Sequence, residues 1–259
     1  MFVLFLQTQT LSIMKKQTII VTGASSGIGK GIAQHFLAKG DNVVINSATA
    51  GKLKQTYDEL GGAAGGNLAF VPGDIRDKAV GELLVKTAVD RFGAADVLIN
   101  NAGIFEPKPF LDVDEAYLDK FLNTNLKGTY FTTQAVIPQM LKQKGGVVIN
   151  IGTPIVGHAL GGVPVTAAMA SKGAIHALTL QLAAEFGAQN IRTNTVAPGV
   201  IRTPMHGDNA DQMAGLHLMK RVGEVNDVAE MVYTVAKSQF VNGAIINVDG
   251  GFGAGHHVG

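Results

Sequence analysis

TGASSGIG, residues 22–29, is the stretch on which the fold prediction depends. It follows a short β-branched run, residues 18–22, and opens an amphipathic stretch at residues 27–39. In a parallel α/β domain such a turn binds a pyrophosphate. The first glycine permits the tight turn, the second lets backbone N–H groups approach the phosphates, and the third lets the helix pack closely on the strand. The N-terminus of the helix adds a partial positive charge that faces the anion. The stretch therefore predicts a dinucleotide-binding loop.

Short β-branched runs alternate with longer amphipathic stretches along the rest of the chain, which is typical of βαβ units. Apolar strands between helices of this length predict a parallel sheet that is covered on both faces. The predicted fold is α/β, a single domain with a doubly wound seven-stranded parallel sheet, or Rossmann fold. The glycine-rich patch at residues 61–66 is predicted to be a flexible loop. Strands are predicted at residues 18–22, 42–46, 68–71, 96–99, 147–151, 192–197 and 244–248, and helices at 27–39, 52–60, 77–92, 114–142, 165–186 and 226–237.

Composition excludes several classes of function. The chain has 259 residues, 46% of them hydrophobic and 16% charged, so it can bury a large core. Its 21 basic and 20 acidic residues are dispersed, so a nucleic-acid partner is not expected. There is no cysteine, which excludes disulfides and cysteine-ligated zinc and fits a cytoplasmic location.

The two ends of the chain are predicted to be mobile. The apolar start is too short to span a membrane and lacks the basic region of a signal peptide. We therefore expect residues 1–14 to be an extension ahead of a domain at 15–259, with Met14 as an alternative start. His256 and His257 have no nearby acid and predict no metal site.

Further motifs add a family resemblance to these observations. The Gly-x-x-x-Gly-x-Gly spacing of the loop resembles that of the short-chain dehydrogenase/reductase family, and other matches follow in the family's order from about residue 17 to 252. They are NNAG at 100–103, Asp74 in GDI, Asn125 in NTNL, PGVIRT at 198–203 and VDGG at 248–251. The resemblance implies that Asp74 contacts the adenine of the cofactor and that the segment 198–203 holds the nicotinamide. The resemblance implies an oxidoreductase that uses NAD(P)(H) on a small carbonyl, alcohol or imine substrate.

The same resemblance implies a set of cofactor-binding residues. A dinucleotide-binding domain selects NAD with an acid at the end of its second strand, which would repel the 2′-phosphate of NADP. Ser47 stands there instead, with Thr49, Lys52 and Lys54 nearby, although Ser26 replaces the basic residue of many NADP-binding relatives. NADP(H) is therefore favoured over NAD(H). The implied residues are Gly23, Ser25, Ser26, Gly27, Ile28, Gly29, Ser47, Asp74, Ile75, Asn101, Ala102, Gly103, Lys172, Pro198, Gly199, Ile201 and Thr203.

The catalytic residues implied by the resemblance include one departure. Lys172 matches the family's lysine, Asn125 its asparagine, and Thr153 stands at its serine position. The family's tyrosine, which donates a proton to the substrate, lies four residues before the lysine on the same helix face, and here that position is Ala168. A positioned general acid contributes roughly 10²–10⁴-fold to a rate, so a slow or altered enzyme is expected.

The sequence leaves open which residue replaces the tyrosine as proton donor. Lys172 is one, acting directly or through a water held by Asn125, and His158 and His206 are the others. The alternative to an enzyme is an inactive protein of the same fold that binds the dinucleotide and senses it or serves as a scaffold. Retention of Lys172, Asn125 and the Thr153 hydroxyl favours the enzyme. The resemblance also implies a homodimer or homotetramer built on the helices at 114–142 and 164–187.

Overall fold

The computed structural model describes residues 16–255, so the predicted extension at 1–14 and the His256–His257 tail lie outside the described residues. Within that range seven strands form one parallel sheet in the order β3-β2-β1-β4-β5-β6-β7. This confirms the predicted doubly wound sheet. The strands are β1 Thr18–Val21, β2 Asn42–Ser47, β3 Leu68–Pro72, β4 Val97–Asn100, β5 Gly146–Ile151, β6 Ile191–Pro198 and β7 Ile245–Val248.

Helices cover both faces of the sheet because successive apolar strand residues point to opposite sides. Ile19 and Val21 enter a core beneath α1, α2 and α8, whereas Ile20 enters a core beneath α4 and α6. No helix within residues 16–255 combines the length and apolar character needed to cross a bilayer. The helices are α1 Gly27–Ala38, α2 Ala50–Glu59, α3 Gly62–Gly65, α4 Lys78–Phe92, α5 Glu115–Phe121, α6 Gly128–Lys142, α7 Thr166–Phe186 and α8 Val225–Lys237.

The strand order reverses at β1, which lies between β2 and β4. In open parallel sheets a crevice forms outside the carboxyl ends of the strands at such a reversal, and ligands bind there. The loops that follow β1 to β6 all emerge at this edge. The fold therefore brings the predicted site residues, which are spread over most of the chain, to one edge of the sheet.

The predicted single helix at 114–142 is wrong in one respect, since a π-helical turn at Leu122–Lys127 separates α5 from α6. Asn125 lies in that turn, and its side-chain oxygen accepts a hydrogen bond from the Ile104 amide at 2.8 Å. Its amide group donates to the Ile104 carbonyl at 3.1 Å and to the Ser171 hydroxyl at 2.9 Å. The wider turn is stabilised by these long-range bonds, which helical periodicity does not predict.

The predicted flexible loop at 61–66 is also wrong, because this segment contains the short helix α3. Gly61 and Gly66 flank it in the left-handed conformation, at φ 78° and 67°. The Tyr57 hydroxyl donates to the Gly62 carbonyl at 2.8 Å and ties the segment to α2. Here glycine allows a compact turn at each end of the helix.

Candidate active site

The loops after β1 and β4 are bonded to each other at the centre of the crevice. The Thr22 hydroxyl accepts the amides of Asn101 and Ala102 at 3.1 Å, and the Asn101 side-chain amide donates to the carbonyls of Thr22 and Gly23 at 3.0 Å. A Cβ on Gly23 would lie 2.7 Å from the Ala102 Cα. Glycine is therefore required for this close approach of two backbones.

The N-terminus of α1 has the features of a pyrophosphate cradle. Ser26 precedes the helix, is exposed, and makes no side-chain bond to the first turn. The amides of that turn are thus available to an anion. A Cβ on Gly29 would lie 2.5 Å from the Gly23 carbonyl oxygen, so the helix starts as close to the strand as backbone packing permits. Thr203 lies beside Gly27, where a Cβ would be 3.4 Å from the threonine side chain.

The end of β2 presents hydroxyl groups. The Ser47 hydroxyl lies 3.0 Å from that of Ser25 and accepts the Thr49 amide at 3.3 Å. The first turn of α2 contains no acidic residue. Lys54 is paired with Asp58 at 2.6 Å, whereas the exposed Lys52 has no ion pair among the described residues. The chain from Ser47 into α2 therefore has no carboxylate to repel a phosphate. Asp74 follows Gly73, whose amide donates to the Ser47 carbonyl at 3.0 Å, but its carboxylate is paired with Arg76.

The predicted adenine-binding residue Asp74 lies beyond β3 and forms a salt bridge with Arg76 at 2.6 Å. The hydrogen bond from the Arg76 side chain holds the pKa of the Asp74 carboxyl below its usual range. Asp74 is therefore ionised at neutral pH, and its carboxylate can accept hydrogen bonds.

Lys172 reaches the crevice from α7. Its Nζ donates to the Ile151 carbonyl at 2.6 Å, and a Cβ on Gly103 would lie 3.6 Å from the same Nζ. Burial lowers the pKa of Lys172 to about 8. Such a lysine exchanges its proton close to neutral pH, which is the range in which a general acid is effective.

Asn125 and Thr153 lie near Lys172, although their groups already have partners. Asn125 is buried and bonds the Ser171 hydroxyl, which in turn donates to the Ala168 carbonyl at 2.8 Å. Asn125 thereby connects the π-helical turn to α7. The Thr153 hydroxyl accepts the Ile155 amide at a long 3.4 Å, so it remains able to donate its own proton. Ser171 was not among the predicted site residues, and no sequence pattern distinguishes it.

Ala168 is completely buried, one helical turn before Lys172. It belongs to a small apolar cluster in which α7 faces α5 and the chain after β4. Its side chain has no titratable group, so Ala168 itself cannot donate a proton. The cluster consists of Phe121, Val165, Ala167 and Ala168, with Ile104, Phe105, Tyr117, Leu118 and Met169 packed against it.

The two histidines considered as proton donors have other contacts. The rings of His158 and Phe252 meet edge to face, with centroids 5.6 Å apart. Nδ1 of His206 lies 2.8 Å from the Ile201 carbonyl oxygen.

Sequence reasoning missed a third histidine of this region, His217, which is 2% exposed and accepts the Val200 amide. Its only signal was the abundance of Met and His between residues 205 and 219.

Two cavities lie away from Lys172. One of about 560 Å³ opens at the amino ends of the strands, between Asp96 and Arg192. The other, about 550 Å³, lies beside Thr203 and includes Arg202 and Asp211. Within residues 16–255 no three metal-ligating side chains cluster together.

Comparison with known proteins identifies the family. Residues 17–214 match the family model described as short chain dehydrogenase. The chain belongs to the short-chain dehydrogenase/reductase family.

Relatives of this short-chain dehydrogenase include the BbsD subunit of a hydroxy(phenyl)methylsuccinyl-CoA dehydrogenase from Thauera aromatica. It is 35% identical over 244 residues, which cover 92% of this chain and 97% of that protein. The 3-oxoacyl-acyl-carrier-protein reductase FabG of Staphylococcus epidermidis is 36% identical over 242 residues, 91% of this chain and 98% of that one.

Among solved structures, ElxO with NADP bound superposes with a TM-score of 0.85. The two proteins are 31% identical, and the match covers 93% of this chain and 100% of ElxO. Family membership and these relatives confirm the predicted class of enzyme: an oxidoreductase of the kind that uses nicotinamide dinucleotides.

Proposed function

We propose that this short-chain dehydrogenase transfers hydride between NADP(H) and a small carbonyl, alcohol or imine compound, with Lys172 as the proton donor in place of the family's tyrosine. The observation that carries the proposal is the position of Lys172 at the crevice beside Gly103, with a pKa of about 8. At neutral pH this lysine is mostly charged and yet gives up its proton far more readily than an ordinary lysine.

The residues of the chain supply orientation and the proton. When bound, the cofactor supplies or accepts the hydride. In the reducing direction, Lys172 donates a proton to the substrate oxygen or nitrogen as hydride adds to the carbon. The π bond of the C=O or C=N group breaks, a C–H bond and an O–H or N–H bond form, and the C–O or C–N single bond remains. Neutral Lys172 then takes a proton from water. One N–H of the ammonium is bonded to the Ile151 carbonyl, which leaves two for substrate or cofactor. The Thr153 hydroxyl orients the reacting oxygen.

Asn125 has a positioning role in this scheme. Its side chain is occupied by the Ile104 backbone and Ser171. It therefore holds α7, and with it Lys172, against the chain that follows β4. Preorganisation of this kind is worth several kcal/mol in enzymes generally.

The preference for NADP(H) follows from the charges around Ser47. The hydroxyls of Ser47 and Ser25 and the exposed Lys52 offer donors to a 2′-phosphate, and neither the end of β2 nor the first turn of α2 carries a carboxylate to oppose it. We expect Ser47→Asp to shift the ratio of NADPH to NADH dissociation constants by tenfold or more towards NADH, on the order of 1.4 kcal/mol. Titration of the parent and of Ser47→Asp with both cofactors measures that ratio, and Gln189→Asp, at an exposed position on the opposite edge of the sheet, is the control.

The deciding experiment follows NADPH oxidation with a panel of aldehydes, ketones, imines and a 3-oxoacyl thioester. Lys172→Ala is expected to lose at least about 100-fold in kcat, and Lys172→Arg nearly as much because arginine does not release its proton near neutral pH. In the parent enzyme, kcat/KM for reduction should fall as the pH rises through about 8, where Lys172 loses its proton.

Parallel variants separate the candidate donors. His158→Ala and His206→Ala should keep most of the activity, and a loss in either that matches Lys172→Ala would transfer the donor role to that histidine. Tight NADPH binding without turnover on every substrate would favour the alternative, an inactive dinucleotide-binding protein.

The oligomeric state is also a proposal. The outward face of α7 presents Ala170, Ala177, Leu180 and Ala184, with Leu180 55% exposed. A long helix with an apolar outer face is expected to pack against another helix. We propose a homodimer or homotetramer in which α7 contacts its counterpart in a second subunit.

A further inference from the structure

His217 connects the region after β6 to the loop that covers it. Its Nε2 accepts the Val200 amide at 3.1 Å, and Val200 lies in the segment 198–203 that the family resemblance assigns to the nicotinamide. His217 itself follows the 3₁₀ helix Gly207–Leu216. One side-chain hydrogen bond thus joins the proposed cofactor segment to this helix.

The imidazole occupies a space that two glycines leave for it. A Cβ on Gly199 would lie 2.8 Å from Nε2, and a Cβ on Gly250 would lie 3.2 Å from the Cβ of His217. The residue is 2% exposed, and the ring of Phe252 lies 6.3 Å away between centroids. A side chain on either glycine would therefore collide with the histidine as it is placed.

The hydrogen bond fixes the protonation state of the imidazole. An N–H group donates to Nε2, so Nε2 carries no proton and the neutral ring has its proton on Nδ1. Nδ1 is buried and has no hydrogen-bond partner among the described residues. A second proton on Nε2 would remove the acceptor of the Val200 amide and leave two opposed N–H groups in a buried space.

The charged groups around His217 are few. Burial, the largest effect, lowers the pKa of His217, and Arg221 lowers it further, whereas the nearby Ala214 backbone and Asp249 carboxylate oppose that shift. The Asp249 carboxylate is itself occupied by the amides of Gly251 and Gly253 at 2.9 Å. The neutral ring therefore predominates at neutral pH.

We propose that His217 is a positioning residue for the cofactor: its neutral imidazole holds the Val200 segment in the geometry that binds the nicotinamide, and protonation of the imidazole weakens binding. The proposal rests on the proposed cofactor site. The folded-state pKa lies below the ordinary value, so the stabilising bond is complete above the ordinary histidine range and is lost as the pH falls through the lowered pKa.

The test compares NADPH dissociation constants by calorimetry between pH 5.5 and 8.5 in three proteins. His217→Gln keeps a side-chain acceptor that does not titrate, and His217→Leu removes the acceptor. We expect the parent affinity to fall from pH 7.5 to 5.5 relative to His217→Gln, by up to about tenfold, which is the loss that a single unshifted histidine would give. The leucine variant should bind about tenfold more weakly at every pH. Taking the ratio to His217→Gln cancels the titration of the cofactor's own phosphate.

An equal loss on acidification in the parent and in His217→Gln would overturn the proposal, as would parent-like affinity in a folded His217→Leu. A second measurement needs no cofactor: amide hydrogen exchange in the peptide that contains Val200. Exchange should be slow in the parent and His217→Gln and faster in His217→Leu at the same pH. If none of the three proteins binds a dinucleotide at pH 7.5, the proposed function fails. In that case, equal amide exchange of the Val200 peptide in the three proteins would separately overturn the role of His217.

Discussion

At Lys172, burial changes the pKa of the side chain and therefore the chemistry that the residue can perform. Its pKa falls from an ordinary 10.5 to about 8 because the ammonium loses hydration, and only the Ile151 carbonyl replaces part of it. The loss of hydration that lowers the pKa of Lys172 also means that its charged form destabilises the folded state. Function and stability therefore oppose each other at this position.

This opposition predicts the effect of Lys172→Met on thermal stability. The folded pKa lies below the unfolded one, so the cost is complete below about pH 8 and disappears as the pH rises towards 10.5. Lys172→Met should raise stability at pH 7 by about 1–3 kcal/mol, with a smaller gain at pH 10. Melting temperatures measured at both values check this, with the exposed Lys127→Met as the matched control. An equal gain at both pH values would contradict the assigned cause.

Ala168 predicts a second effect at the residue scale. The methyl group is completely buried in the cluster around Phe121, so a tyrosine there must displace neighbours. Ala168→Tyr should lower the free energy of unfolding by about 1–3 kcal/mol. Ala38→Tyr places the same side chain at the exposed end of α1 and should have little effect. Urea denaturation of both variants makes the comparison, and equal stabilities would mean that the crevice accepts the phenol without strain.

At the scale of elements, the π-helical turn at Leu122–Lys127 is the feature that shapes the site. It lies between α5 and α6 and carries a buried asparagine whose three hydrogen bonds reach the chain after β4 and α7. The turn thus joins two elements that both border Lys172. π-helical turns are frequent at functional sites for this reason: they redirect one side chain without ending the helix.

Removal of the Asn125 side chain is expected to disrupt this junction. Asn125→Ala leaves the Ile104 amide and carbonyl without their partners, which should cost at least about 2 kcal/mol of stability. Asn123→Ala, in the same turn but with no side-chain hydrogen bond among the described contacts, should cost much less. Denaturant midpoints and NADPH affinity measure both variants, and the affinity should fall only in Asn125→Ala. A similar cost for the two substitutions would show that the turn does not depend on these bonds.

For the whole molecule, the proposed association of subunits depends on the outer face of α7. Leu180 lies at its centre, and the charged residues of α7 are few. Leu180→Glu should convert the proposed oligomer to a smaller species, because a carboxylate would be buried without a partner at the contact. Leu83→Glu, a comparably exposed leucine on α4, is the control. Sedimentation velocity gives the masses, and an unchanged mass for Leu180→Glu would place the interface elsewhere.

Periodic and local signals made most of the fold predictable from the sequence. The strands are short β-branched runs, and the phosphate loop is a contiguous pattern whose glycines are required by backbone contacts, as at Gly23. Where the prediction failed, a distant residue decided the outcome. The bonds of Asn125 to Ile104 break the long helix, and the bond from Tyr57 to Gly62 orders the patch predicted to be a loop.

The sequence by itself determined that this protein is a doubly wound α/β dehydrogenase, with a lysine, an asparagine and a threonine at positions that match the family's catalytic residues, because residue type and order suffice for that conclusion. The tertiary structure decided the pKa of Lys172, the apolar enclosure of Ala168 and the bond from Val200 to His217. Each of these depends on how much water is excluded and on which groups from other elements replace it. Such contacts join residues far apart in the chain, and only folding brings them together.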